Sequence, residues 1–389
     1  MSKNPRRRSS RKCSKERRTD INTTQIYTLV NAVNSEAFGA QALSVQDPAG
    51  LISLGTTVLS SSTNTEAFLN TLVQRIGRTI ISYRKYQNKL ADMVMDDFEW
   101  GAIVQKIRVH MPDAEADQSY GLTTGSTVDH YEVNLPQADQ KLFVTRAPYQ
   151  FHVTIQRKHL KEAFLSESAM GRFIASVIGQ VRNAMDVSLE NLGRITLANM
   201  VGETVAREIK LVSEYNSLVT GSSLTAADAL FNSEFLAYAM RRINETIDAM
   251  QEMGVNYNDG SIETFTPRED LRVKLISPFV RAAETVLQYK AFNEEFVRPD
   301  SGYQKLAFWQ AADSPMEINV KRISDGTAEN VENLVAILHD RDALGMFRDD
   351  EEVATTPVNA AGLYYNTYYH ARQIWFNSLD ENFVFFTLN

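Results

Sequence analysis

The chain has 389 residues, 43% hydrophobic and 23% charged, which is ordinary for a globular protein with room for one elaborated domain or two. A single cysteine, Cys13, excludes an internal disulfide framework and a multi-cysteine metal site. No apolar run reaches the roughly 18 residues of a membrane span, so we expect no membrane contact. The basic start continues into polar residues, unlike a signal peptide, which predicts synthesis in a reducing cytoplasm.

The first twenty residues differ in charge from the rest. They hold nine Lys or Arg against Glu16 and Asp20, a net charge of +7, whereas the whole chain carries −8 and the remainder therefore −15. Such a segment predicts a disordered arm that contacts nucleic acid or an acidic partner, through phosphates because it contains no aromatic residue for stacking. The alternative is a solvated terminus without a dedicated partner. The candidate contact residues are Arg6, Arg7, Arg8, Arg11, Lys12, Lys15, Arg17 and Arg18.

The next part is predicted to be an arm followed by a hairpin. Weak helical spacing covers residues 25–38, the Gly, Ser and Thr-rich residues 50–65 are expected to be loose, and residues 66–89 predict an anchoring helix. Residues 102–110 and 141–156 read as strands joined by a polar tip. Because a long two-stranded excursion is marginal alone, we expect the hairpin to lie on a neighbouring subunit.

Residues 166–201 predict one long amphipathic helix. Ser166 and Ser168 are candidate N-caps and Gly202 is a candidate stop. At 1.5 Å per residue the helix would be on the order of 50 Å long, against a radius of gyration near 21 Å for a compact domain of this size. The comparison predicts a subunit shaped like a plate or wedge. Apolar residues recur every three or four positions, at Met170, Phe173, Ile174, Val177, Ile178, Val181, Met185, Leu189, Leu192 and Ile195.

The second half alternates helical and strand patterns, which indicates an α+β or α/β layer. Its last segment, residues 363–386, is dense in aromatic residues, and a turn at 378–382 predicts a terminal hairpin whose aromatics serve sheet packing. The elements predicted before it are a helix over 223–253 opened by Thr225, a strand over 271–277, a helix over 279–296, and strands over 317–323 and 334–339 with a short helix between them.

No motif for catalysis is present. There is no Walker A sequence, dinucleotide glycine fingerprint or His-Glu-x-x-His, and the six histidines have no ligand spacing. The acidic clusters Asp96–Glu99 and Asp349–Glu352 lack calcium-loop spacing and are interpreted as solvated. His339–Asp342 is interpreted as a turn. We therefore expect no enzyme activity, cofactor or metal.

The order of arm, long hairpin, long helix, α+β region and terminal hairpin resembles the HK97-type fold of tailed-phage major capsid proteins, and most closely those of small phi29-type podophages. Three segments carry the resemblance: Phe68–Gly77 (FLNTLVQRIG), Tyr149–Leu165 (YQFHVTIQRKHLKEAFL) and Gly362–His370 (GLYYNTYYH). The basic segment before residue 20 has no place in the family pattern. The immunoglobulin-like C-terminal domain of some relatives is expected to be absent.

The resemblance implies an α+β, HK97-like capsid fold with a named role for each part. These parts are a basic disordered tail at 1–20, an N-terminal arm with an anchoring helix at 21–100, an extended hairpin loop (E-loop) at 101–156, a peripheral domain with the spine helix at 157–205, an axial domain at 206–345, and return strands of the peripheral domain at 346–389.

The implied function is that of a structural subunit. It would self-assemble through pentamers and hexamers into an icosahedral shell around double-stranded DNA, with scaffolding and portal proteins as partners. It would be made in the host bacterial cytoplasm and reside in the virion. Two alternatives stay open: an encapsulin-like compartment shell that packages protein cargo, and a nucleic-acid-binding enzyme with a basic arm.

Overall fold

The structure is a computed structural model in which helices and strands are mixed along the chain. It describes residues 23–39, 44–76, 86–95, 104–290 and 303–389, less positions 113, 115, 116, 126, 129, 130, 132, 134, 137, 145 and 261. The basic segment 1–20, Cys13 and the acidic cluster Asp96–Glu99 therefore lie outside the described residues.

The helices include those predicted for residues 25–38 and 166–201, which are confirmed. They are α1 (Thr23–Phe38), α2 (Pro48–Leu59), α3 (Ser62–Ile76), α4 (Arg157–Ala163), α5 (Glu167–Glu203), α6 (Leu211–Leu218), α7 (Ala226–Ala229), α8 (Ser233–Met250) and α9 (Ser277–Lys290).

The strands form two-stranded ribbons and two larger sheets, of which one has three strands in the order β10–β11–β3. The strands are β1 (Val104–Val109), β2 (Ala138–Phe143), β3 (Arg146–Gln156), β4 (Glu208–Lys210), β5 (Leu271–Ile276), β6 (Gln304–Leu306), β7 (Ile318–Lys321), β8 (Ala328–Val331), β9 (Leu334–Asp340), β10 (Leu344–Thr355), β11 (Tyr364–Asn377) and β12 (Phe383–Thr387).

The chain divides into two compact units. One takes its described residues from 1–86, 150–186 and 352–370, and the other from 87–149, 187–351 and 371–389. Among the described residues, none of the helices combines the length and the apolar character needed to cross a membrane.

In the first unit, helix α2 corrects the loose arm predicted for residues 50–65. The Asp47 carboxylate caps it by accepting a hydrogen bond from the Gly50 amide at 2.6 Å, and Pro48 occupies its first turn. Burial of one face outweighs the weak helix propensity of its Gly and Thr residues, which explains why composition misled. The buried positions recur at helical spacing: Leu51, Leu54, Gly55 and Val58.

Helix α3 follows at once. It begins at Ser62, before the predicted start at residue 66, and Lys89, the predicted end, lies in a turn instead. Phe68 of this helix packs on Phe164, with ring centroids 5.3 Å apart. This aromatic contact attaches the helix within its own unit, and its role as an anchor stays a prediction.

The core of the second unit is a five-stranded sheet in the order β4–β12–β9–β5–β6. Strand β9 runs antiparallel to both β12 and β5, while β4 and β6 pair in parallel at the two edges. Every residue of β9 and β12 is buried, as expected for strands covered on both faces. The strand predicted over 271–277 is confirmed as β5, and that over 334–339 as β9.

Two predicted elements are each divided in the structure. The strand predicted over 141–156 is two strands: β2 pairs with β1, whereas β3 lies beside β11. The helix predicted over 223–253 is also two elements, because Thr225 caps only the short α7. Asn232 then caps α8 by accepting hydrogen bonds from the amides of Glu234 and Phe235.

Two further predictions are wrong because a strand pairing was missed, in one case with a neighbouring strand and in the other with distant strands. The short helix expected after residue 323 is strand β8, which forms an antiparallel hairpin with β7 in which Ile318 faces Val331. The terminal hairpin does not form: β11 and β12 belong to different sheets, and β12 pairs with β9 and β4. The predicted helix over 279–296 begins at Ser277 and is described to Lys290.

The long helix α5 begins at its predicted cap, where the Ser166 hydroxyl accepts a hydrogen bond from the Ala169 amide at 3.2 Å. It ends at Glu203, so the predicted stop at Gly202 is wrong. A Cβ at Gly202 would lie 2.5 Å from Val320 Cγ1, and close packing therefore accounts for the glycine.

A buried ion pair lies on the second half of α5. Arg194 Nη2 meets Glu190 Oε1 at 2.6 Å, and both side chains are less than a tenth exposed. The guanidinium also donates to the carbonyl of Trp309 at 3.1 Å and lies 4.1 Å from the centre of the Phe308 ring. The other Glu190 oxygen accepts from the Lys89 amide at 2.9 Å.

We expect Arg194→Leu to reduce the free energy of unfolding by about 3–5 kcal/mol, because it leaves the Glu190 carboxylate buried without its cation. Urea denaturation of the unassembled chain measures the loss.

Arg241→Leu is the matched control. It breaks an i,i+4 ion pair with Glu245 that is more than half exposed and should cost about 1 kcal/mol or less. Equal losses in the two variants would contradict the structural role assigned to the buried pair.

Candidate assembly surface

A partly exposed element of the second unit is the hairpin formed by β1 and β2. The strands pair antiparallel, with Val104 opposite Phe143 and Val109 opposite Ala138. Since side chains alternate along a strand, the ribbon has two different faces. We define its outer face as Gln105, Ile107, Val109, Ala138, Gln140 and Leu142, and its inner face as Lys106, Arg108, Asp139, Lys141 and Phe143.

The outer face is apolar and exposed. Ile107, Val109 and Leu142 are each more than half exposed. The segment that joins the strands continues this character, because Tyr120 and Tyr131 are about nine-tenths exposed. Contiguous exposed apolar residues on a soluble chain are typical of an interaction surface.

The inner face carries cations that meet two carboxylates of the acidic turn, defined as Ser378–Asn382. Lys106 Nζ lies 2.6 Å from Glu381 Oε1, and Arg108 Nη2 lies 3.5 Å from Glu381 Oε2. Lys141 Nζ lies 2.6 Å from Asp380 Oδ1. Both carboxylate residues are less than a tenth exposed. The inner face is therefore held by charge.

Three further contacts add to this attachment. Arg108 Nη2 donates to the Thr264 hydroxyl at 2.7 Å, and Nη1 donates to the Asp380 carbonyl at 2.7 Å. The Phe143 ring packs on Phe376 with centroids 5.1 Å apart. The hairpin is thus oriented on its own unit with the outer face turned to solvent.

A second pair of charges joins strand β5 to the segment before β1. Lys274 is fully buried and contacts the carboxylate of Asp92, and it donates to Gln304 Oε1 at 2.9 Å. Burial lowers the pKa of Lys274, against the opposing charge of Asp92. Burial also acts to raise the pKa of Asp92, but its ion pair and hydrogen bond with Lys274 hold that pKa below its usual value.

His339, at the end of β9, lies near this pair. Its Nδ1 donates to the Asp340 carbonyl at 2.7 Å, and Nε2 has no hydrogen-bond partner among the described residues. Burial, followed by the positive charge of Lys274, lowers the pKa of His339 to about 3. Burial likewise raises the pKa of Asp340. An imidazole that stays neutral here serves as part of the core.

The other residues considered from sequence show no site for chemistry. His110 meets Asp139 at 2.7 Å on the hairpin, while His152 and His370 each lie beside Tyr368 at 6.4 Å between ring centroids. The cluster Asp349–Glu352 lies in β10. Within the described parts of the chain, no three His, Cys, Asp or Glu side chains group together as metal ligands. The basic residues from Arg6 to Arg18 lie outside the described residues, so their contact stays a prediction.

The paired charges could hardly be predicted from the sequence. Glu190 and Arg194 stand four apart on a predicted helix, which indicates an ion pair but not its burial. Asp380 and Glu381 fell in a predicted turn, and nothing local linked them to cations more than 230 residues earlier. Such long-range pairing has no signal in one sequence.

The fold defines a structural class, that of chains with an HK97-like fold. Among solved structures, the capsid of Staphylococcus phage Andhra is similar at a TM-score of 0.52 and 12% identity, over 80% of this chain and 87% of that one. A structure from bacteriophage P68 is similar at a TM-score of 0.50 and 11% identity, over 80% and 87%. At this identity the likeness shows the fold.

The family follows from sequence. The family model of the Phi29-like phage major capsid proteins matches residues 30–387 of this sequence. The chain therefore belongs to that family. The major capsid protein of Bacillus phage B103 is 23% identical over 372 residues, which cover 95% of this chain and 74% of that protein. That of Bacillus phage PZA is also 23% identical, over 375 residues. The chain is a major capsid protein of a tailed phage, a structural component of the virion.

We expect His339 to make stability depend on pH. The unfolded chain takes up a proton at this residue below pH 6.5, whereas the folded protein does so only near pH 3. Neutral His339 therefore contributes fully to the free energy of unfolding above pH 6.5. This contribution falls as the pH falls, by about 1.5 kcal/mol between pH 6.5 and 5.0. His339→Asn keeps a donor for the Asp340 carbonyl but cannot take up this proton. Between pH 6.5 and 5.0 its free energy of unfolding, measured by urea denaturation, should fall by about 1.5 kcal/mol less than that of the original chain. Parallel pH curves for the two proteins would contradict a buried neutral imidazole.

Proposed function

We propose that this capsid protein assembles through pentamers and hexamers into an icosahedral shell that encloses the double-stranded DNA genome. In this proposal it has no enzyme activity, it is made in the host bacterial cytoplasm, and scaffolding and portal proteins are its other partners. The described parts keep the roles implied by the resemblance: E-loop at 101–156, spine helix within 157–205, axial domain at 206–345.

The observation that carries the proposal is the exposed outer face of the hairpin. A two-stranded ribbon that shows Ile107, Val109 and Leu142 to solvent gains stability when a second copy covers them. A homo-oligomer with closed symmetry supplies such a cover for every subunit at once. The adjacent copy is therefore the proposed occupant of this face.

The charge distribution supports DNA as the content. The chain beyond residue 20 carries −15, so a shell built from it would not clamp packaged DNA, whereas the +7 basic segment would contact phosphates or an acidic scaffold. The alternative is an encapsulin-like compartment that packages protein cargo. Nuclease treatment of native particles tests the content: protected DNA supports a genome shell, and particles that hold protein cargo alone contradict it.

Ile107→Asn should leave the subunit folded, because the side chain is 63% exposed, and should reduce assembly. We expect the amount of chain in sedimenting shells to fall at least about tenfold, since each of the many copies loses one buried apolar contact of about 1–2 kcal/mol. Gradient sedimentation with negative-stain microscopy measures it, and the thermal midpoint of the free subunit checks folding.

Ile107→Leu is the control, because it keeps the apolar contact and should assemble like the original chain. The proposal fails if Ile107→Asn forms shells in equal yield. It also fails if the unsubstituted chain stays a monodisperse monomer or dimer.

A further inference from the structure

The attachment of the hairpin to the acidic turn has a consequence for assembly. We propose that Asp380 and Glu381 are positioning residues: they hold the cationic inner face on its own subunit and thereby fix the direction in which the apolar outer face is presented. The inference deepens the proposed function, on which its meaning for assembly rests. The attachment itself belongs to the free chain and is tested there.

The cations of the inner face need anions from outside the ribbon. Lys106 and Lys141 are directly opposite each other across the strands, and like charges in that position destabilise a ribbon. Arg108 faces Asp139, but the Asp139 carboxylate lies 2.7 Å from His110. The hairpin therefore does not neutralise its own charge.

The acidic turn is fixed independently of the hairpin. The Ser378 amide donates to the Ala343 carbonyl at 2.7 Å, and the Asn382 carbonyl accepts from the Asp340 amide at 2.9 Å. The Leu379 carbonyl accepts from two successive amides of the 259–260 segment, each at 2.9 Å. Since the core of the second unit holds this backbone, the turn is the preformed partner and the hairpin is the element that moves.

Release of the hairpin has a moderate cost. The two carboxylates would regain water when the ribbon leaves, so no charge would stay buried without a partner. The aromatic contact that opposes release is the one between Phe143 and Phe376. Partly exposed ion pairs weaken as the screening length falls from about 10 Å at 0.1 M salt to about 3 Å at 1 M. The attachment is therefore expected to depend on salt.

Hydrogen exchange with mass spectrometry tests this on the full chain, at a concentration at which light scattering detects no particles. In Asp380→Asn/Glu381→Gln, peptides within 104–143 should exchange about tenfold or more faster, because three charge-assisted contacts are weakened. Peptides of β9 and β12 should be unchanged. Raising the salt to 1 M should speed exchange in the original chain and have a smaller effect in the variant.

Two matched variants test whether the effect comes from the location of Asp380 and Glu381 or from the removal of any two negative charges. Glu245→Gln/Asp248→Asn removes two carboxylates from the exposed side of α8 and should leave the hairpin unaffected. Lys141→Glu/Asp380→Lys exchanges the two signs of one pair. It should slow hairpin exchange relative to Asp380→Lys alone.

Two outcomes would overturn the inference. Unchanged hairpin exchange in the double variant and at 1 M salt would show that apolar contact holds the ribbon. Equal acceleration in the hairpin, β9 and β12 would show that the carboxylates stabilise the core instead. Because no shell forms in this experiment, either result leaves the proposed assembly function to its own test.

Discussion

The fold of the second unit depends on the position of strand β12 within the five-stranded sheet. Strand β12 lies between β9 and β4, and in this register Phe385 is opposite Ile337 on one side and Glu208 on the other. All of its residues are buried, so the position cannot be changed without opening the core. The acidic turn directly precedes β12, and the pairing of this strand therefore fixes the carboxylates that receive the hairpin.

Charged side chains also hold the irregular segment 87–95 against regular structure of the same unit. The Lys89 amide donates to Glu190 of α5, and Asp92 pairs with Lys274 of β5. Leu90 and Met93 of this segment contribute apolar burial to the same core. Buried pairs of this kind bring little net stability compared with apolar substitutes, but they are costly to break and so specify one arrangement.

The sequence predicts the parts of this fold that are governed by local periodicity. Helix α5 and strands β5 and β9 follow from their patterns of three to four or of continuous apolar residues. The partners of the strands and the breaks between successive elements could not be predicted in the same way. Residues 141–156 were predicted as one strand, within which 149–156 alternate strictly, although they belong to two sheets. The two strands around the acidic turn look like a hairpin until β12 is known to pair with β9. The attachment of the outer-facing ribbon likewise depends on carboxylates distant in sequence.

In the assembled particle, the outer face of the hairpin should be buried by a second copy while the inner face stays paired within its own subunit. A cryo-electron microscopy reconstruction of the assembled particle measures both. The account predicts that Ile107, Val109 and Leu142 lie within van der Waals distance of an adjacent copy and that Lys106 still meets Glu381 of its own chain. A closed shell in which this apolar face remains exposed to solvent would contradict it.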